Sequence, residues 1–391
     1  VRRVYADHAA TTRPSPEALA AMRPHLEGAF GNASSVHARG EAAREVVESA
    51  RLEVARLLGA QTEEIVFTAS GSESNNLALQ GALAALEAPA RRRLLVSAVE
   101  HPSVLATARA LAARGLELEL LPVRANGVLD PGTVLDALDD RVALVSVMAV
   151  NNETGAVQPL EEIGPLAKQA GALFHVDAVQ AAGRLPIAVD RWQADLVSIA
   201  SHKMRGPLGA AALFVRRRVR VAPLIHGGRQ ERGRRAGTEN LAAIAGFGAA
   251  ATAAREGLAA GAPARIDALG ERLLAGLLKS VPETRLNGDL DRRVGGIVNL
   301  CFPGVDGEAV LHELDRAGVT VSTGSACSAG EEGPSPVLLA MGLRPEDAHA
   351  SVRFSLGEDT SEEDIDYIVE VTPPIIERLR ALAGPAVEKS A

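Results

Sequence analysis

Phe174-His175-Val176-Asp177-Ala178-Val179-Gln180 is followed, after a polar connection, by Leu196-Val197-Ser198-Ile199-Ala200-Ser201-His202-Lys203. Each half is a short apolar run that stops abruptly at polar residues. That pattern suits a buried parallel strand whose C-terminal end opens into a crevice. The first half delivers Asp177 and Gln180, and the second delivers Ser201, His202 and Lys203, with Gly206 and Gly209 just beyond. Ligands of open α/β sheets sit outside the carboxyl ends of the strands, so both sets of polar groups are expected to face one ligand.

Outward from this pair, strand-like and helix-like segments alternate. Ile65–Thr68 precedes a helix from about Ser72, and Leu94–Ser97 precedes one opened by Pro102. Leu116–Leu121 leads to a helix after Pro131, Val142–Val150 to one from about Leu160, and Ala211–Val215 is expected to run back antiparallel. Glu41 to Leu58 carries apolar residues at helical spacing and ends at Gly59, whereas residues 1–40 read as irregular. The alternation predicts an α/β fold with a mostly parallel sheet covered on both faces. After Gly261-Ala262-Pro263 the character changes to a long amphipathic helix reaching Lys279 and short strands around Ile297–Phe302 and Val319–Ser322. A helix from about Gly307 to Ala317 lies between those strands, and a last one follows the acidic stretch Gly357–Asp366. We read a second, smaller α+β domain from about residue 262.

The chain has 391 residues, of which 47% are hydrophobic, enough for two packed domains. A formal net charge of -8 argues against general nucleic-acid binding, although arginines cluster at Arg216–Arg220 and Arg229–Arg235. The longest apolar run, Leu241 to Ala254, is mostly Ala and Gly and too short for a bilayer, and Val1-Arg2-Arg3-Val4-Tyr5 lacks a signal-peptide core. Two distant cysteines make neither a disulfide framework nor a CxxC metal site, so a reducing cytoplasm is expected.

A lysine at a strand end is ordinarily a surface residue. Opposite an acid it also suits a Schiff base with pyridoxal phosphate, Asp177 keeping the pyridinium nitrogen protonated. Phe67-Thr68-Ala69-Ser70-Gly71-Ser72 is a strand, a small-residue turn and a helix start, where the Gly71 and Ser72 N–H groups would cup a phosphate; many such turns only cap helices. Val99-Glu100-His101-Pro102-Ser103 places His101 at another strand-to-helix junction, as a cap or as an imidazole stacked on a cofactor ring. Asn151-Asn152-Glu153-Thr154-Gly155 follows the next strand, as a turn or as a ligand to a ring oxygen. His175 and Asp177 share a strand face but are too few ligands for a zinc or iron site, so no resident metal is expected. Cys301 sits in an apolar strand and reads as core, whereas Cys327 lies in the small, glycine-rich Gly324-Ser325-Ala326-Cys327-Ser328-Ala329-Gly330, a flexible tether for a thiol. Arg353, in Ser351-Val352-Arg353-Phe354-Ser355, offers a bidentate clamp for a carboxylate.

Taken in order, these motifs resemble the cysteine desulfurase family of the class V aminotransferase group, from Tyr5-Ala6-Asp7-His8-Ala9-Ala10-Thr11-Thr12 to Val352-Arg353-Phe354-Ser355-Leu356-Gly357. Gly233-Arg234-Arg235-Ala236-Gly237-Thr238-Glu239-Asn240 adds to the match. The resemblance implies a pyridoxal phosphate-dependent transferase of fold type I. Its large domain (15–261) would hold a seven-stranded sheet; residues 1–14 and 262–391 would form the small domain, carrying a mobile cysteine loop at about 322–336. It implies that Lys203 carries the cofactor, Asp177 faces its nitrogen and His101 stacks on its ring. Asn152 and Gln180 would approach the ring oxygen, while Gly71, Ser72, Ser201 and His202 surround the phosphate. Thr238 would reach the phosphate of the neighbouring subunit in a homodimer with shared active sites. Arg353, with Asn32, His37 and Asn152, would bind L-cysteine, and Cys327 would accept its sulfur as a persulfide, leaving L-alanine. The long loop after Cys327 resembles the branch serving iron–sulfur scaffolds and tRNA-thiolation enzymes, where the thiol also touches a nascent cluster on the partner.

Four positions depart from the family pattern: His8 for asparagine, Ala33 for proline, Leu208 for lysine and Arg229 for glycine. None removes a group from the implied chemistry; Leu208 and Arg229 bear on the phosphate side and the dimer contact. The alternatives are a selenocysteine lyase or other β-elimination enzyme, a non-catalytic sulfur-relay scaffold, and an RNA-binding protein using the arginine clusters.

Overall fold

In the computed structural model, which describes residues 2–88, 90–323 and 333–383, the strands are β1 (Val4–Tyr5), β2 (Ile65–Thr68), β3 (Arg93–Ser97), β4 (Glu117–Leu121), β5 (Val142–Ser146), β6 (Leu173–Asp177), β7 (Leu196–Ala200), β8 (Ala211–Val215), β9 (Arg285–Asn287), β10 (Ile297–Cys301), β11 (Val319–Thr320) and β12 (Ser351–Ser355). Seven of them form one sheet in the order β2-β8-β7-β6-β5-β3-β4. β3 to β7 pair in parallel, and β8 lies antiparallel between β7 and β2. Every residue of β2, β5, β7 and β8 is buried, which is why these strands read as unbroken apolar runs rather than alternating ones. From β3 the chain goes first outward to β4 and then to the other side, to β5. That reversal opens a crevice at the carboxyl ends of the strands.

Helices cover the sheet. Ala38–Leu58 ends at Gly59, whose φ of 65° closes it in the left-handed region. It packs on Leu241–Ala259 so closely that a Cβ on Gly248 would stand 2.7 Å from Ala50 Cα. The N-terminal forty residues are not wholly irregular as expected, because Pro16–Glu27 is helical. Ser15 caps it, Oγ accepting from the Ala18 N–H at 3.1 Å, and Pro16 opens it. The helix buries only Ala18, so it shows little apolar period, and the cap was the available signal. β5 stops at Ser146, short of Val150; beyond it the Val147 and Ala149 N–H groups still donate to His175 and Asp177 carbonyls on β6.

The C-terminal part forms its own antiparallel sheet in the order β12-β10-β9, and β11 pairs in parallel with the N-terminal β1. A separate hydrophobic cluster therefore gathers Val4 and Ala6 with Leu273, Phe302, Phe354 and Ile368. Helices Ala262–Ser280 and Glu362–Ala383 pack on it.

One buried ion pair ties the N-terminal helices to the first strand of the large sheet. Arg51 donates from Nη1 to Glu231 Oε2 at 2.7 Å and from Nη2 to Oε1 at 2.8 Å, while the Phe67 N–H donates to the same carboxylate at 2.8 Å. Both side chains are almost fully buried. Removing one charge strands the other in a low-dielectric site. Glu231→Gln should therefore lower unfolding stability by about 3 kcal/mol in urea titrations, whereas neutralising the exposed Glu87, paired with Arg220 at the surface, should change it little.

Candidate active site

At the carboxyl ends of the parallel strands lies a cavity of about 360 Å³. Gly71, Ser72, His101, Asn152, Asp177, Gln180, His202, Lys203 and Arg353 all line it. Larger clefts of about 500 and 680 Å³ flank the N-terminal strand but hold none of these groups, so chemistry and not volume marks the site.

β6 ends at Asp177 and delivers its carboxylate to the cavity floor, where it is 4% exposed. Asn75 Nδ2 donates to its Oδ2 at 2.7 Å and the Val179 N–H to Oδ1 at 3.0 Å, which fix the carboxyl group in place. Asn75 also donates to Ser103 Oγ at 2.9 Å, and Ser103 stands 2.7 Å from His101 Nδ1. The Ser103 N–H donates to that Nδ1 at 3.1 Å, as expected for a helix cap. A backbone N–H can only donate, so Nδ1 is an acceptor and the imidazole proton resides on Nε2. His101 is thus both cap and cavity group.

β7 runs into a short turn, Ser201–Lys203, which presents Lys203. Its Nζ donates to the carbonyls of Ala9 at 2.5 Å and Ala10 at 2.7 Å, and Gln180 Nε2 donates to Ala9 O at 2.8 Å. The turn closes through Arg205, held at φ 62° while Thr12 Oγ1 accepts its N–H at 2.8 Å. Gly206 then folds back so tightly that a Cβ there would lie 2.0 Å from Ser201 Oγ. His202 lies 3.1 Å from Thr11 Oγ1 through Nδ1; burial first and the neighbouring Lys203 second pull its pKa down to about 4.

Arg353 reaches the cavity from β12, in the other sheet. Nη1 donates to Asn152 O at 2.8 Å and Nη2 to Asp7 Oδ1 at 2.7 Å. Buried beneath the rim, Glu153 accepts from Ser335 Oγ at 2.5 Å, and burial raises its pKa. Glu100, fully buried, accepts from the Met148 N–H; desolvation first and Asp177 second push its pKa well up.

Other expected residues lie elsewhere. Thr238 and Asn32 are exposed. His37 caps helix Ala38–Leu58, its Nδ1 accepting from the Gly40 N–H at 3.2 Å. Neither Asn32 nor His37 lines the cavity within one chain. Cys327 lies outside the described residues. Ser201 sits just under the cavity, its buried Oγ without a partner among the described residues, as are Asn75 Oδ1 and Gln180 Oε1. Asn75, Ser103 and Asp7 escaped the reading of the sequence. Asn75 lies one helical turn beyond Gly71 in helix Gly71–Asn76, a spacing that places both on one face; nothing local signals Asp7. His175 does not face the cavity. The His175 ring nitrogens lie 2.8 Å from Ser146 Oγ and 3.2 Å from Ser198 Oγ, inside the sheet.

A sheet of this order with a lysine, an acid and a histidine at its carboxyl ends defines a class, and the sequence comparisons agree: residues 4–368 match the aminotransferase class-V family. The chain belongs to that family and, within it, to the cysteine desulfurases. A cysteine desulfurase of Cereibacter sphaeroides is 45% identical over 391 residues, covering 100% of both chains. One from Trichormus azollae is 44% identical over 380 residues, 97% of this chain and 94% of its own. A solved NifS-like protein superposes with a TM-score of 0.90 at 33% identity, covering 97% of this chain and 100% of its own.

The buried His175 has a consequence for acid stability. Desolvation pulls its pKa from 6.5 to about 4, against the weaker opposing pull of Asp177. Between these values the unfolded chain binds a proton that the folded chain refuses, so stability falls as pH drops from 6.5 toward about 4 and this contribution is flat below. Chemical denaturation across that range should show the slope, and His175→Asn should flatten part of it.

Proposed function

We propose that this enzyme removes sulfur from L-cysteine with pyridoxal phosphate, leaves L-alanine, and holds the sulfur as a persulfide on Cys327 for an acceptor protein. The observation that carries the reading is the convergence of Lys203, Asp177 and Arg353 on one cavity. The residues fit the cofactor: Asn75 Oδ1 and Gln180 Oε1 at a cavity flanked by a helix N-terminus at Gly71, and Ser201 Oγ just beneath it, are buried polar atoms lacking partners among the described residues. Asp177 would hold the pyridine nitrogen, Lys203 would carry the cofactor, His101 would cover its ring, and Asn152 and Gln180 would meet its oxygen. Gly71, Ser72, Ser201 and His202 would hold the phosphate, with Thr238 contributed by the partner subunit. When bound, the cofactor withdraws electrons from the substrate α-carbon and makes the β-sulfur electrophilic.

The chain's own groups supply the rest. Arg353 fixes the substrate carboxylate, and Asn152, whose carbonyl already braces that guanidinium, stands beside it. The Lys203 amine accepts the α-proton and is steered by the carbonyls of Ala9 and Ala10. His101, with its proton on Nε2, is placed to pass protons to the substrate. The Cys327 thiolate then attacks the substrate sulfur: an S–S bond forms, the C–S bond breaks, its electron pair stays with carbon, and that carbon takes a proton on the way to alanine. Asn32 and His37 as substrate-side residues rest on the family resemblance alone.

The finer assignments follow the same reading. Residues 15–261 act as the cofactor domain, and 1–14 with 262–391 as the domain that brings Cys327. Phe30, Val36 and Leu208 are large apolar side chains 68%, 98% and 71% exposed, which supports a homodimer. Iron–sulfur scaffolds and tRNA-thiolation enzymes are the acceptors, in a cytoplasm reducing enough to keep the thiol free. Among the described residues no helix is long and apolar enough to cross a membrane.

Cys327→Ala should lower alanine and sulfide production from L-cysteine by about a hundredfold or more while the protein still binds the cofactor. Mass spectrometry of wild type after L-cysteine should show one extra sulfur on Cys327. Wild-type production of alanine and sulfide by the variant would overturn the persulfide route, and pyruvate in place of alanine would point to β-elimination. Lys203→Ala should abolish turnover and the visible absorbance of the bound cofactor.

A further inference from the structure

Arg353 is the only guanidinium lining the cavity among the described residues, and it is already engaged. Nη1 is given to the Asn152 carbonyl and Nη2 to Asp7 Oδ1 at 2.7 Å, while Nε is buried without a partner among the described residues. The Arg353 side chain is 3% exposed and that of Asp7 14%. Asp7 is not a loose side chain that happened to fall here. Its backbone bridges to Ser355 on β12, two residues from Arg353, and the flanking bonds fix it: the His8 N–H donates to Ser355 O at 3.1 Å and the Ser355 N–H to Ala6 O at 2.7 Å. Tyr5 Oη donates to the Asp7 carbonyl at 3.0 Å. The acid is therefore delivered to the arginine by main-chain pairing.

A second carboxylate arriving at this guanidinium meets a charge already neutralised. It would have to share one cation with Asp7, two like charges within a few ångströms in a poorly solvated site, or displace it. Arg184, buried nearby with Nη1 unpartnered among the described residues, adds positive charge that favours an entering anion.

We propose that Asp7 is a specificity-determining residue: it is the resident counter-ion of Arg353, and the α-carboxylate of the substrate must displace it to bind. This rests on Arg353 being the carboxylate clamp. The affinity for L-cysteine is then the difference between two carboxylates competing for one arginine. Thiols without a carboxylate gain nothing from the exchange, and Asp7 acts through Arg353 as a positioning residue rather than touching the reacting atoms.

The test compares the holoenzyme with Asp7→Asn and Asp7→Glu. In Asp7→Asn the competing charge is gone, so KM for L-cysteine should fall by roughly tenfold with kcat moving far less. Asp7→Glu should restore a KM near wild type. Inhibition by cysteamine, which lacks the carboxylate, should be the same in all three. A KM that rises or stays level in Asp7→Asn overturns the proposal, because Asp7 would then only orient the arginine. A crystal structure of wild type with L-alanine gives a reading that needs no variant: the Asp7 contact to Nη2 must be lost, and an intact pair beside bound carboxylate overturns the idea. Arg353→Ala separates the underlying assignment. If it leaves KM for L-cysteine unaltered, the clamp itself is wrong whatever Asp7 does.

Discussion

An ammonium group at the end of a buried parallel strand must find acceptors, and Lys203 finds them in the segment from Ala9 to Thr12. The carbonyls of Ala9 and Ala10 receive its Nζ, Ala9 also receives Gln180, and Thr12 donates both its N–H and its hydroxyl to the His202 carbonyl. The same segment reaches the other sheet, where Asp7 meets Arg353 and His8 pairs with Ser355. A dozen residues at the start of the chain thus join the lysine of one sheet to the arginine of the other. This segment spans both, and its carbonyls hold the amine at the cavity.

Charge in the cavity is balanced with few cations. Asp177 is stabilised by an amide and a backbone N–H, and the nearby Glu100 is driven toward its neutral form first by desolvation and then by Asp177 itself. Glu153 is likewise pushed up by burial, yet it is held by Ser335, the cap of helix Pro336–Ala340. That bond fastens helix Pro336–Ala340 to the residue following Asn152, so this helix and the cavity rim are anchored together.

Much of this was legible in the sequence because parallel strands buried on both faces announce themselves as unbroken apolar runs ending in polar groups. Ile65–Thr68, Leu173–Asp177 and Leu196–Ala200 did so, and Gly71, His101, Asp177 and Lys203 follow such ends directly. The helix Pro16–Glu27 was not legible by period, since it buries only Ala18. Nor was the role of Asn75, because one asparagine in a helix carries no mark of the carboxylate, 102 residues away in the chain, to which it donates.

The sequence by itself determined which groups stand at strand ends, and with them the chemistry: an amine, an acid and an imidazole on a scaffold of alternating strands and helices. Only the tertiary structure decided what those groups touch. That Arg353 faces Asp7 across 346 positions, that burial first and Asp177 second push the Glu100 pKa up, and that Thr238, Asn32 and His37 stand outside their own chain's cavity are outcomes of packing. Strand ends are set by local hydrophobic pattern, whereas pairings between distant side chains depend on how two sheets and one N-terminal segment are brought together, which no local pattern encodes.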